Sequence, residues 1–200
     1  MDLDDYILQL KQRLLQNPGC ALTHYNLGLA YIKKHKWEEA IYEFNCSIKE
    51  SPDFVEALIN MGGVYFHLGD IEKSIEVNER AIKIRPEFAI PYGNIGFFYL
   101  QKGDLKRAID MLNKAVSKEP KFIQAWSNLS SAYLQIGRID ESISCSKKAI
   151  EIAPDFAIAH NNLAVAYLEK GDINKASFHC NKAKELGYPV EPGLLEKLNK

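Results

Sequence analysis

The sequence lacks the features that mark secreted, membrane-spanning or strongly charged proteins. It has no run of about 18 apolar residues, so we expect no membrane-spanning helix. The stretch from Met1 to Asp5 has neither the basic region nor the apolar core of a secretion signal. The net charge of -1 favours neither a nucleic acid nor an anionic membrane as a partner. We therefore expect a cytoplasmic protein without nucleic-acid partners or an integral membrane segment.

Motifs for catalysis and for metal binding are also missing. The four cysteines, Cys20, Cys46, Cys145 and Cys180, form no Cys-x-x-Cys pair and match no zinc spacing. We expect them to be reduced thiols that behave as small hydrophobic residues. The sequence contains no phosphate-binding glycine loop and no paired histidine ligands. We therefore predict a non-enzymatic protein without a cofactor or a metal site.

What the sequence does contain is a repeat with a period of 34 residues. With 46% hydrophobic and 26% charged residues, the chain has the composition of an ordinary folded protein. Two residue types return at the same register in five consecutive segments. The tyrosines are Tyr31, Tyr65, Tyr99, Tyr133 and Tyr167, and the asparagines are Asn26, Asn60, Asn94, Asn128 and Asn162. A fixed period of this length indicates a stacked repeat architecture.

Each 34-residue repeat consists of two helical patterns around a short break. The predicted repeats are 21–54, 55–88, 89–122, 123–156 and 157–190. The breaks are His35-Lys36, Gly69-Asp70, Gly103-Asp104, Gly137-Arg138 and Gly171-Asp172. Glycine can adopt the left-handed conformation that closes a helix, and the aspartate after it can cap the next one. A proline near the end of the first four repeats stops the second helix.

Small residues recur on both helices of every repeat, where they allow close helix packing. On the first helix they are Gly28, Gly62, Gly96, Ser130 and Ala164, and on the second they are Ala40, Ser74, Ala108, Ser142 and Ala176. Aromatic residues that end the repeats, such as Phe54 and Phe122, are expected to wedge between successive repeats. Residues 1–20 are predicted to form an N-terminal helix that acts as a half-repeat, with its helical pattern over 2–16. Residues 191–200 are predicted to form a C-terminal capping helix.

The pattern over residues 21–190 resembles the tetratricopeptide repeat family. The fourth repeat matches best, with Trp126, Leu129, Ser130, Tyr133, Gly137, Ser142, Ala149 and Pro154. The resemblance implies an all-α fold, a right-handed superhelical α-solenoid in which the first helices line the concave face. His24 and His160 stand where the family prefers tryptophan, and we interpret both as packed, hydrogen-bonded rings and not as metal ligands.

The resemblance also identifies a ligand-facing groove. Of the positions that it implies, only Lys33, Glu56 and Glu169 carry a charge. The predicted peptide-binding residues are the five asparagines above together with Ile59, Phe66, Phe97, Leu100, Gln101, Leu134 and Gln135. The basic residues with which related modules clamp chaperone C-termini are absent from this face. The groove is therefore expected to be an apolar trough with a row of amides.

A carboxamide both donates and accepts hydrogen bonds, so the asparagine row can hold an extended backbone of any sequence. It resembles the asparagine ladder of O-linked N-acetylglucosamine transferase. Two alternatives stay open: the asparagines reflect family consensus alone, or the apolar residues pack against the protein's own N-terminal helix or a second copy. The sequence predicts an adaptor that binds a protein or peptide segment. The alternative is a scaffold that self-associates as a homo-oligomer, and the half-repeat at the start leaves open a longer parent protein.

Overall fold

A computed structural model describes residues 2–198 of the chain, which form twelve helices. The helices are α1 (Leu3–Gln16), α2 (Ala21–Lys33), α3 (Trp37–Glu50), α4 (Val55–His67), α5 (Ile71–Ile84), α6 (Ala89–Gln101), α7 (Leu105–Lys118), α8 (Ile123–Gln135), α9 (Ile139–Ile152), α10 (Ala157–Glu169), α11 (Ile173–Glu185) and α12 (Pro192–Leu198). From α2 onward, every second helix up to α10 begins 34 residues after its predecessor. The division of 21–190 into five repeats stays a prediction. Met1, Asn199 and Lys200, at the ends of the predicted terminal segments, lie outside the described residues.

The turns within the repeats have the predicted backbone conformation. Glycine at each of four breaks has a positive φ of 74° to 82°, and His35 at the first break has a φ of 56°. The carboxylates of Asp70, Asp104 and Asp172 each accept a 3.1 Å hydrogen bond from a backbone amide in the first turn of the following helix. These caps satisfy amide groups that have no partner within the helix. At Lys36 and Arg138 the cap makes no side-chain hydrogen bond.

The chain divides at Pro91, within α6, into two compact units, which we call the N-terminal half and the C-terminal half. In the N-terminal half each helix from α1 to α5 packs against the next one along the chain. Its core contains the fully buried side chains of Leu10, Leu27, Phe44 and Leu58. The predicted N-terminal helix is therefore part of this core, because Ile7 and Leu10 of α1 are buried in it.

In the C-terminal half, the helices from α7 to α11 likewise pack in chain order. Leu112, Leu129 and Leu163 are its largest fully buried aliphatic side chains of α7, α8 and α10. The short α12 places Leu194 against Ala164 and Cys180. The role of this segment as a cap on the last repeat stays a prediction.

Small side chains on the first helix of a repeat face larger ones on the second. A Cβ atom at Gly28 would lie 2.6 Å from the ring of Phe44, and one at Gly96 would lie 2.5 Å from Leu112. In the fourth repeat Ser130 Oγ instead lies 2.6 Å from Ser146 Oγ, and the two side chains are fully buried. All ten predicted small positions are buried. The helices approach closely because large side chains on one helix face small residues on the other.

Candidate functional site

The predicted asparagine row does not behave as one uniform ladder. Asn60 donates from Nδ2 to the hydroxyl of Tyr25 at 3.1 Å and to the carbonyl oxygen of Glu56 at 2.8 Å. Asn162 is 6% exposed, and its Nδ2 donates to the carbonyl oxygen of Ser127 at 3.2 Å and to Ser131 Oγ at 3.1 Å. Because a carboxamide has two N–H donors, these two residues have no donor left for a ligand.

Asn26 and Asn128 are different. Neither side chain makes a hydrogen bond within residues 2–198, and both are half-buried. Each lines a pocket, and the two pockets belong to separate halves of the molecule. Their amides are therefore the ones that remain available to a ligand.

The pocket at Asn26, in the N-terminal half, has a volume of about 270 Å³. Leu3 and Tyr6 of α1 form part of its wall, opposite Leu29 and Ile32 of α2. The side chain of Lys33 brings a charge to this pocket. The apolar residues here pack in part against the protein's own N-terminal helix, which was one of the two alternatives raised by the sequence.

The pocket at Asn128, which we call the aromatic pocket, has a volume of about 300 Å³. It is lined by Gly93, Asn94 and Phe97 of α6, by Gln124, Ala125, Ser127 and Asn128 of α8, by Phe122 and Phe156 in the loops before α8 and α10, and by Ile158. None of these residues carries a charge. The aromatic pocket therefore combines apolar walls with amide groups.

The other predicted groove residues have varied surroundings. Ile59 packs against the core of the N-terminal half, and Leu134 packs against Ile143 and Leu163 in the C-terminal half. Leu100 is only 8% exposed. Phe66 is half-buried, whereas Gln101 and Gln135 are exposed. Of the predicted residues, only Asn94, Phe97 and Asn128 come together in the aromatic pocket.

Seven residues that line the aromatic pocket were not among the predicted peptide-binding residues: Gly93, Phe122, Gln124, Ala125, Ser127, Phe156 and Ile158. The two phenylalanines end their repeats, and sequence reasoning assigned them to wedges between repeats. Phe122 does pack over Gly93, where a Cβ atom would lie 2.5 Å from its ring. The signal that could have identified the pocket is the size of the side chain at the fifth position of the repeat. This position holds the large residues Tyr25 and Ile59 in the first two repeats and the small residues Gly93 and Ser127 in the next two.

The two histidines at the family's tryptophan position are hydrogen-bonded, as predicted. Nε2 of His24 lies 2.9 Å from the carbonyl oxygen of Pro18, and Nε2 of His160 lies 2.9 Å from that of Pro154. Trp126 donates from Nε1 to the carbonyl oxygen of Pro120 in the same way, at 2.8 Å. The imidazole nitrogen thus replaces the indole nitrogen and fixes the loop before the helix.

The cysteine thiols differ in their surroundings, and hydrogen bonding with Thr23 lowers the pKa of Cys20. Cys145 is buried, and burial raises the pKa of its thiol to about 12, so it stays protonated. All four cysteines are free thiols. Within the described part of the chain no cluster of three or more metal-ligating side chains is present. No helix there is long and apolar enough to cross a membrane.

Comparison with known proteins identifies the family. Three models of this repeat match: one described as TPR repeat at residues 62–103 and 131–171, and two described as tetratricopeptide repeat at residues 99–145 and 157–186. No curated protein sequence gives a significant match.

Several solved structures share the fold. MamA aligns with a TM-score of 0.70 at 25% identity, covering 83% of this chain and 91% of that one. YrrB, described as a TPR protein with an unusual peptide-binding site, aligns with a TM-score of 0.72 at 19% identity over 96% and 98% of the chains. PilW, a type IV pilus biogenesis factor, aligns with a TM-score of 0.77 at 18% identity over 88% and 82%. The predicted all-α solenoid is confirmed as the fold class, and the chain belongs to the tetratricopeptide repeat family.

Proposed function

We propose that this protein is a non-catalytic adaptor that binds an extended segment of another protein along its charge-poor first helices. The observation that carries the proposal is the aromatic pocket, where Phe97, Phe122 and Phe156 surround an amide, Asn128, that has no hydrogen-bond partner within residues 2–198. Apolar walls around a few polar groups are typical of binding sites. The structural likeness to YrrB, which has a peptide-binding site, supports the same function here.

The charges around the first helices favour a neutral ligand segment. Glu56, one of three charged residues among the positions expected to face a ligand, forms an ion pair with Arg85 at 2.9 Å. No charged side chain lines the aromatic pocket among the residues described. A strongly charged segment would lose its hydration in this pocket without gaining an ion pair. The expected ligand is thus an extended, uncharged segment with apolar side chains.

The test uses an array of uncharged peptides with fixed length and varied apolar positions, probed with the full chain. The variant Asn128→Ala should weaken the best binders about fivefold, because a net hydrogen bond is worth about 1 kcal/mol. Asn113→Ala, at an exposed position on α7, is the matched control and should bind as the wild type does. If no peptide binds, or if both variants bind equally well, the proposed binding mode is wrong.

A self-associating scaffold is the second candidate, and exposed leucines on α1 favour it. Leu8 is 56% exposed and Leu15 is 84% exposed, although other faces of the same helix are buried. If α1 mediates association, the double variant Leu8→Glu, Leu15→Glu should lower the mass measured by light scattering. An unchanged monomer mass in both proteins would argue against this candidate.

A further inference from the structure

In the first repeat, a tyrosine side chain occupies the position that corresponds to the aromatic pocket of the third repeat. In the first repeat, the ring of Tyr25 meets the ring of Phe54 edge-on, with centroids 4.9 Å apart. The hydroxyl of Tyr25 accepts a 3.1 Å hydrogen bond from Nδ2 of Asn60. A phenol is therefore held between a loop phenylalanine and an asparagine of the next first helix.

Two repeat lengths further along the chain, the phenol is missing but its partners are retained. Gly93 stands in the register of Tyr25, Phe122 in that of Phe54, and Asn128 in that of Asn60. All three residues line the aromatic pocket. Phe122 leans over Gly93, and the open volume of about 300 Å³ is at the lower end of the range for ligand sites. Such a volume suits one side chain and not a cofactor.

Two side chains that line the aromatic pocket, Asn128 and Ser127, make no hydrogen bond with other described residues. Asn128 makes no side-chain hydrogen bond with the described residues, whereas Nδ2 of Asn60 is fully occupied. Ser127, which is 3% exposed, has a buried Oγ without a hydrogen-bond partner there. A buried hydroxyl without a partner is costly, so a ligand that supplies one gains affinity.

We propose that the aromatic pocket binds the side chain of a tyrosine from the partner's extended segment, with the ring against Phe122 and the hydroxyl accepting from Asn128. This inference rests on the proposed adaptor function and names the side chain that it selects. A phenol has one donor and two acceptor sites, so it can satisfy both Asn128 and Ser127. Phenylalanine fills the same apolar space but leaves both groups unpaired. Phosphotyrosine is disfavoured, because none of the described residues that line the pocket is basic and could pair with its charge.

The test measures binding of three small probes to the full, ¹⁵N-labelled chain: N-acetyl-tyrosinamide, N-acetyl-phenylalaninamide and N-acetyl-phosphotyrosinamide. We expect the tyrosine probe to shift the amide resonances of Gly93 and the Asn128 side chain. It should bind about fivefold more tightly than the phenylalanine probe, which corresponds to one net hydrogen bond. The phosphorylated probe should bind most weakly. Equal binding of the tyrosine and phenylalanine probes would overturn the proposal.

Variants of the pocket residues test which side chains produce the preference for tyrosine over phenylalanine. Asn128→Ala should remove the preference for tyrosine over phenylalanine, and Ser127→Ala should reduce it. Asn113→Ala is the matched control, because it removes an exposed amide on α7 that lines neither pocket. If the preference survives in Asn128→Ala, the proposal is wrong.

A third variant, Gly93→Tyr, places the phenol in the chain itself, as Tyr25 does in the first repeat. It should block the tyrosine probe while keeping the wild-type helix content, measured by circular dichroism. If it does not fold, the Asn128 and Ser127 variants still decide.

The outcome can be separated from that of the adaptor proposal. Extended peptides that bind the wild type without any contribution from tyrosine would refute the tyrosine pocket alone. A tyrosine probe that binds the pocket, with no extended peptide binding anywhere, would support the pocket and refute the adaptor mode.

Discussion

The same substitution, glycine to alanine, should have opposite effects on stability at two helical positions of the N-terminal half. At Gly63 in α4, which is exposed, a new Cβ atom would have no atom within 4 Å. At Gly28 in α2, the new Cβ atom would lie 2.6, 2.8 and 3.0 Å from three ring atoms of Phe44. Phe44 is fully buried, so its ring has little room to move away. Comparing the two variants therefore separates the effect of alanine on helix propensity from its effect on core packing.

The expected magnitudes follow from two opposing effects. Alanine favours a helix interior over glycine by about 1 kcal/mol, and this gain applies at both sites. Overpacking a filled core costs about 1–3 kcal/mol, and it applies only at Gly28. We expect the upper part of that range, because the contacts involve a rigid ring and not a flexible chain end. Gly63→Ala should therefore stabilise by about 1 kcal/mol, and Gly28→Ala should destabilise by up to about 2 kcal/mol.

The assay is urea unfolding followed by circular dichroism, with midpoints compared at equal slope because repeat arrays depart from two-state behaviour. A third protein tests the cause. The variant Phe44→Cys copies Cys180, which packs near Ala164 in the last repeat. In that background Gly28→Ala should no longer destabilise. If Gly28→Ala and Gly63→Ala shift the midpoint equally, or if the Phe44→Cys background does not relieve the cost, the packing argument fails.

Three further predictions concern polar side chains of the C-terminal half that are buried or half-buried. Ser130 Oγ lies 2.7 Å from Ser142 Oγ and 2.6 Å from Ser146 Oγ. Because Ser130→Ala removes this shared partner, it should lower the free energy of unfolding, measured in urea titrations, by about 1–3 kcal/mol. Replacing all three serines by alanine should recover much of that loss. Ser127→Ala should raise the unfolding midpoint slightly, since it removes a buried hydroxyl without a partner; a lower midpoint would contradict this. Burial, together with the nearby His160 and Lys147, lowers the pKa of His179 from 6.5 to about 4. Because the unfolded chain binds this proton more readily, stability should fall by about 1 kcal/mol as pH drops from about 6.5 to 4, after discounting for partial exposure. In His179→Gln this part of the pH dependence should disappear from thermal melts.

The repeat architecture could be predicted from the sequence because packing between neighbouring repeats imposes the same residue sizes at a fixed period. The glycines and small residues at the helix contacts recur for this reason, and the left-handed breaks at Gly69 and Gly137 were found in the same way. The partners of the small residues were not predicted, because Phe44, Asn78, Leu112, Ser146 and Cys180 share a register but no chemical type. Their common property is the volume left by the facing helix, and that appears only when the helices are placed together.

The candidate site was harder to predict, because it depends on where the repeats differ and not on what they share. The asparagine row is uniform in sequence, yet Asn60 and Asn162 are bound within the protein while Asn128 is not. The neighbouring repeat supplies different partners: Asn60 bonds the hydroxyl of Tyr25, whereas Gly93, in the same register, offers Asn128 no side chain. Residue types that recur in every repeat therefore predict the fold, whereas a residue that differs from its equivalents in the other repeats indicates the pocket.

The histidines at the tryptophan position make two contacts where tryptophan makes one. His24, Trp126 and His160 all hold the carbonyl oxygen of a proline in the loop before their helix. An indole has a single nitrogen, which is already used in this contact. An imidazole has a second nitrogen, and here it faces the second helix of the repeat. That second nitrogen meets Glu43 at 2.7 Å in the first repeat and His179 at 3.0 Å in the last. At His24 the two ring nitrogens face a carboxylate and a carbonyl oxygen, whereas at His160 they face a second imidazole and a carbonyl oxygen. The two histidines thus keep the contact that Trp126 makes with its loop, and each adds a second contact, to a different partner in the first and in the last repeat.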